Sequence, residues 1–190
     1  MEGSGTSVGD VRVRDARDSE LGSLSRLLEE AYGEFEPRFP DGLWQVYLGE
    51  IVDVRSRLSD SELILAELER RIVGTVGFYA EAWRSTLEHW PAGWSSIRTL
   101  AVLADARGRG VGEALARECL RRARKCGAIA VGLHTNQFMV SANRLYARLG
   151  FRRVPELDIE IGEMFTGRRL PPSASWQAQA FRLDLRGSGS

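Results

Sequence analysis

Lysine is almost missing from this chain: Lys125 is the single one, and the other cations are arginines. The 26 basic residues are matched by 26 acidic ones, so the formal net charge is zero. A protein that grips nucleic acid or an anionic membrane surface normally carries a basic excess, so neither partner is expected. Cysteine is scarce too. Cys119 and Cys126 fall on one expected helix, about 10 Å apart at a rise of ~1.5 Å per residue, which is beyond disulfide reach. They form neither a covalent framework nor a metal pair, which fits a reducing compartment and a cytoplasmic location. The two histidines, His89 and His134, show no ligand spacing with Asp or Glu, so no metal is expected. No apolar run approaches the ~20 residues of a membrane span, and the opening MEGSGTSVGD has neither the charged nor the apolar region of a secretory signal. A hydrolase's Gly-x-Ser-x-Gly elbow is absent, as is any Ser-His-Asp set.

What is present suits one domain of 190 residues, with a full core. Residues 11–186 read as that domain, with flexible ends at 1–10 and 187–190. Val11–Val13 is a short strand. Leu21, Leu24, Leu27, Leu28 and Ala31 make one helical face, and Leu43 to about Leu58 a second helix with Trp44, Tyr47, Leu48, Ile51 and Val54 as its stripe. Leu63–Leu68 and Ile72–Tyr79 are strands joined by a hairpin turn at residues 69–71. An aromatic connection follows, whose Trp83, Trp90 and Trp94 read as packing residues. Strands are also expected at 97–103, 129–135, 151–154 (resuming near Ile159) and 177–185, with helices from Val111 to Cys126 and from Ser141 to Leu149. Residues 168–175 read as a proline-bearing loop. The order is that of a mixed α/β sheet, α+β by some conventions, with helices on its faces.

The chain is organised around Leu100–Gly112, LAVLADARGRGVG. An apolar strand runs into a glycine-rich turn, and Val111, Leu115, Cys119 and Ala123 then repeat every four residues. Such a turn leaves free backbone N–H groups at the positive end of a helix dipole, a ready phosphate site. Alone the turn is weak evidence. It lacks the G-x-G-x-x-G spacing of a dinucleotide site and the Gly-Lys-Ser/Thr of a P-loop.

A second block, Asn143–Phe151 (NRLYARLGF), sharpens the reading. Together the two blocks closely resemble the GNAT superfamily of N-acetyltransferases, strongly from Ile97 to Val154 and in element order from Val11 to Leu185. The resemblance implies a mostly antiparallel sheet of about seven strands with about four helices, its fourth and fifth strands splayed around the arm of acetyl-CoA, the co-substrate. Leu100, Ala101 and Val102 would track the pantetheine amides. Arg107, Gly108, Arg109, Gly110, Val111 and Gly112 would hold the pyrophosphate, and Arg121, Arg122, Arg124 and Lys125 could reach a phosphate. Asn143 matches a residue on the cofactor arm. Tyr146 matches the general acid beside the thioester sulfur, and the backbone N–H of Val102 the oxyanion donor.

The implied reaction is transfer of an acetyl group to a primary amine by direct attack in a ternary complex. The amine has pKa ~10.4 and must shed a proton. Many relatives carry a glutamate on the fourth strand, shortly before the Leu-x-Val step, where this chain has Ser95–Thr99 instead. Glu81, Glu88 and His134 are the candidate bases, and a water path is the other option. The acceptor, a small molecule or a peptide, should enter between residues 34–54 and 83–94, where Glu34, Glu36 and Asp41 could attract a cation. A homodimer is open, with Trp176 and Phe181 of the last strand available to an interface. Two other functions fit less of the sequence: a non-catalytic acyl-CoA-binding or regulatory module on the same fold, supported only by the missing glutamate, and a Rossmann-type nucleotide binder.

Overall fold

The computed structural model describes residues 6–8, 10–40, 42–84, 88–166 and 176–185. β1 (Thr6–Val8) and β2 (Val11–Asp15) form an antiparallel hairpin. Residues 6–8 therefore belong to the sheet, not to the flexible end that their composition suggests. The buried Val11 and Val13 fix the edge on which they pair. The loop expected at 168–175 and the last residues, 186–190, lie outside the described part.

α1 (Leu21–Gly33) buries the leucine face expected of it together with Tyr32. α2 (Leu43–Val52) buries Leu43, Trp44, Tyr47 and Ile51 but stops six residues short of Leu58. The reason is local. The Asp53 carboxylate accepts a hydrogen bond from the Ser56 N–H at 3.1 Å, and the Ser56 hydroxyl donates to the Asp53 carbonyl at 3.0 Å. This side-chain pairing outcompetes another helical turn and starts a 3-10 turn over Ser56–Ser59. That turn carries Arg57 into the interior, where it is 6% exposed.

β3 (Glu62–Leu68) and β4 (Arg71–Tyr79) are joined through Glu69 and Arg70, both at positive φ, the backbone of a tight two-residue hairpin. There follow β5 (Trp94–Val102), α3 (Val111–Lys125), β6 (Ala130–Thr135), α4 (Val140–Arg148), β7 (Arg152–Arg153), β8 (Ile159–Glu160), α5 (Ile161–Thr166) and β9 (Gln177–Asp184). The sheet order is β1-β2-β3-β4-β5-β6-β9-β7, with β8 also paired to β9. Among the described residues only β5 and β6 pair in parallel. The short β1 and the short α5 are the additions to the expected set, and β8 is the resumption expected near Ile159.

Alternation along the strands sorts the core into two layers. Ile64, Ala66, Val73, Ile97, Val131 and Leu133 pack with α3 on one face. Leu63, Leu65, Ala101 and Leu103 pack with α1 and α2 on the other. Trp90 and Trp94 are buried, with rings stacked 5.7 Å apart, whereas Trp83 is 47% exposed. A Cβ on Gly132 would lie 2.7 Å from the Trp90 ring, so only glycine admits the tryptophan there.

Two features of β5 create the site. Opposite β4, Thr75 faces Ala101 but Gly77 faces Arg98, so β5 carries one extra residue, a bulge. Thr99 sits there at φ 50°. On its other edge β5 pairs with β6 only through Trp94–Ile97. Past the bulge the two strands part.

Candidate active site

A cleft of about 580 Å³ opens where β5 and β6 separate. Its floor is Leu100, Ala101 and Val102, and its end wall is Arg107, Gly108 and Gly110–Glu113. Tyr32, Glu34 and Phe35 of the α1 end form one side, and Phe138–Ala142 with Arg144, Leu145 and Arg148 the other.

The floor is an open strand edge. The Leu103 N–H donates to the Val73 carbonyl across β4 at 2.9 Å. By antiparallel alternation, Val102 therefore turns its N–H and C=O to the opposite, unpaired edge. The Val102 carbonyl accepts from Arg107 Nε at 3.1 Å, on that same edge. The end wall is a helix start. Gly108 and Gly110 have φ near +80°, with nothing within 4 Å of where a Cβ would be. The backbone angle, not crowding, calls for glycine here. Ala114 makes the first bond of the helix, to the Gly110 carbonyl at 2.9 Å, and no side chain caps the end. The N–H groups of residues 111–113 thus have no intrahelical partner, at the end wall of the cleft.

Among the other expected cofactor residues the fold selects. Arg107 reaches across to Glu34 at 2.6 Å. Arg109 turns away to Glu69 at 3.1 Å and is not part of the lining. Arg121 and Arg122 are tied to Glu118, and Arg122 also to Asp15 and Glu62, away from the cleft. The cations that line it are Arg107, Arg144 and Arg148. The spacing of four between the last two, in NRLYAR, was the available signal, since it puts both on one helical face. Asn143 donates to the Asn136 carbonyl at 2.9 Å, and its Oδ1 is buried without a partner. Tyr146 lies behind the lining, 5% exposed and edge-on to Phe151. Burial pushes its phenol above the ordinary range, with smaller contributions from Tyr32 and Cys119, so it stays protonated.

Beyond the bulge lies a buried polar network that local motifs did not reveal. Glu88, 5% exposed, accepts from Trp90 Nε1 at 2.6 Å and lies 3.4 Å from Arg98 Nε and 3.3 Å from His134 Nδ1. Burial raises its pKa, but the hydrogen bond from His134 and the charge of Arg98 together outweigh that and hold it below the usual value. The other His134 nitrogen lies 2.9 Å from the Leu157 carbonyl, and Trp90 packs on its ring at 4.5 Å. Of the three candidate bases, Glu88 and His134 thus meet, whereas Glu81 is exposed and paired with Arg84 at 2.9 Å. The acidic attraction expected of residues 34–41 finds no support. Glu34 is spent on Arg107, Glu36 is exposed, and Asp41 lies outside the described residues.

No group of three or more potential metal ligands occurs among the described residues, nor any helix long and apolar enough to cross a membrane. Both cysteines are free.

Residues 23–151 match the sequence profile of the Acetyltransferase (GNAT) family. N-acetyltransferase 8B of Rattus norvegicus is 32% identical over 150 residues, 74% of this chain and 59% of that protein. N-acetylaspartate synthetase of Danio rerio is 32% identical over 94 residues, 50% of this chain and 30% of that one. The chain thus spans at most about 59% of the length of these relatives. In fold it is similar to yncA from Salmonella typhimurium, solved with its cofactor acetyl-CoA, with a TM-score of 0.62 at 16% identity over 96% of this chain and 98% of that one. With a profile matched across more than half its length and a strand edge opened as the resemblance requires, the chain belongs to the GNAT family of acetyltransferases.

Proposed function

We propose that the protein is an N-acetyltransferase that moves an acetyl group from acetyl-CoA to a primary amine held beside it in a ternary complex. The observation that carries this reading is the unpaired edge of β5 ending at an uncapped helix. One ligand fits both: a chain with amides at strand spacing and a pyrophosphate at its end. Leu100 and Val102 would bond the pantetheine amides as a neighbouring strand does. The N–H groups of residues 111–113 would take the pyrophosphate, with Arg144 and Arg148 beside it. The likeness in fold to yncA, whose structure holds acetyl-CoA as its cofactor, supports the choice of donor.

In the transfer the amine nitrogen bonds to the thioester carbonyl carbon, the carbon–sulfur bond breaks, and the sulfur leaves with the bonding pair. The Val102 N–H stabilises the oxyanion that forms between these events. Tyr146, kept protonated by its burial, donates to the departing sulfur. Asn143 holds the start of α4, and with it Tyr146, through its bond to the Asn136 carbonyl. Glu88 and His134 are occupied by partners of their own. We read them as positioning groups for Arg98, with the amine's proton passing to water.

Acetyl-CoA should raise the melting temperature by mass action, by several degrees at millimolar concentration, and NAD and ATP should not. A folded sample with no shift would overturn the donor assignment.

A further inference from the structure

Two polar groups next to the bulge of β5, Arg57 and Tyr79, have buried donors with no partner among the described residues, and Arg98 stands beside them. Arg57 spends two of its nitrogens, donating to the Ile51 carbonyl at 2.7 Å and to Thr99 Oγ1 at 3.1 Å. Its Nε is buried with no partner among the described residues. The hydroxyl of Tyr79, a residue 4% exposed, is buried and equally unpartnered. Arg98 approaches Glu88 with its Nε at 3.4 Å, its guanidinium over the Tyr79 ring at 5.4 Å. Native interiors leave very few such groups unsatisfied, because each forfeits a hydrogen bond it had in water.

The charges point the same way. Arg57 and Arg98 are close enough to repel each other, and Arg57 is held below its ordinary value, first by burial and then by Arg98 against the opposing pull of Tyr79. The carboxylates that face them are Glu88, already shared among Arg98, His134 and Trp90, and the half-buried Glu50, a weaker influence on both. Tyr32 and Tyr47 are the remaining titratable neighbours, and both are buried phenols. A buried guanidinium without a matching anion is expensive to keep. The cluster lies next to the cleft: Tyr32, on which both arginines act, lines it, and Thr99, which Arg57 holds, directly precedes the floor at Leu100.

We propose that Arg57, Arg98 and Tyr79 form an anion subsite at the bulge that takes the carboxylate of the acceptor, so that the acceptor is an amino carboxylate and not a simple amine or polyamine. The proposal rests on the transferase reading above and narrows its acceptor. A carboxylate has lone pairs for several donors at once and suits the fork of an arginine. Held there, it would fix the amino group of the same molecule within reach of the thioester, which is positioning of the kind that accelerates transfer.

The experiment compares the common amino acids with their carboxamides, which keep shape and amine but lose the charge. Free-thiol release with acetyl-CoA gives kcat/KM, and melting in the presence of CoA gives binding where turnover is slow. At least one acid should exceed its amide by about tenfold or more, the range of a charged hydrogen-bonded pair. Arg57→Gln should erase that preference while the acetyl-CoA melting shift persists, and Arg57→Lys should restore part of it. Amides matching their acids, a preference that survives Arg57→Gln, or no acid active or stabilising while acetyl-CoA still raises the melting temperature would each overturn the subsite. Loss of the acetyl-CoA shift in the wild-type protein would instead overturn the transferase reading, and the subsite with it. The wild-type comparison decides the matter even if the variants do not fold.

Discussion

The two sides of the β5 bulge are built from different materials. On one side, Leu100–Val102 and the start of α3 offer backbone N–H groups to an open cleft. On the other, Arg98, Glu88 and His134 form a buried side-chain network, with Arg57 held beside it through Thr99. A backbone-built site can be changed without emptying the interior, so damage there should appear as lost affinity or turnover. A network of buried charges is part of the core, so damage there should appear first as lost stability.

The largest expected effect tests the second half of that contrast. Glu88→Ala leaves Arg98 buried without its carboxylate, and breaking a buried pair from one side costs about 3–5 kcal/mol. Chemical denaturation should show that loss. A midpoint near the wild-type value would mean the network is solvated and the contrast false. Next comes Tyr146→Phe, which removes the proposed acid without opening a cavity. Turnover should fall about 100-fold, at the low end of general-acid contributions, with the acetyl-CoA melting shift unchanged. Single-turnover measurement checks the chemical step, and equal rates would remove Tyr146 from that role. Gly110→Ala is smaller. A side chain at φ 80° costs about 1–2 kcal/mol and tilts the N–H groups of the helix start, so acetyl-CoA affinity should drop severalfold. Calorimetric titration would show this. If Gly110→Ala lowered stability more than Glu88→Ala, the division of labour would be reversed.

The smallest effect is a control far from both sides. Glu20 is hydrogen-bonded by Arg14 at 2.8 and 2.7 Å. That bond, opposed by burial, lowers its pKa from 4.5 to about 2. Its folded value lies below its unfolded one, so its contribution is complete above about pH 4.5 and is lost as pH falls toward 2. In acid titrations Glu20→Gln should flatten the fall in stability across that window. It should leave acetyl-CoA binding at neutral pH alone.

The donor side was legible in the sequence because its requirements are local. A strand, two glycines at positive φ and a helix start lie within Leu100–Gly112, and the Asn143–Phe151 block lies on one helix. Arg109, Arg121 and Arg122 carry the right charge but found nearer carboxylates in Glu69, Glu118 and Glu62. Local sequence does not say which acid a long side chain will meet. The acceptor side was hardly legible. Arg57 and Thr99 are 42 residues apart, and Glu88 and His134 are 46 apart. No periodicity marks Arg57 for burial, and its helical register is broken by the Asp53–Ser56 turn. Glu88 and His134 were suspected as bases for their chemistry, but their mutual contact comes only from the fold.

The parting of β5 from β6 has one more consequence. An unpaired strand edge is an invitation to any extended chain, including a copy of the protein or a partly folded neighbour. Here the vulnerable stretch is short, because the bulge interrupts it and Phe35 and Phe138, 5.4 Å apart, narrow the approach. A ligand that lies along Leu100–Val102 as a false strand would do more than deliver a reactive group. It would act as a plug in the sheet, so the ligand-free protein should be the form more prone to self-association when concentrated or warmed.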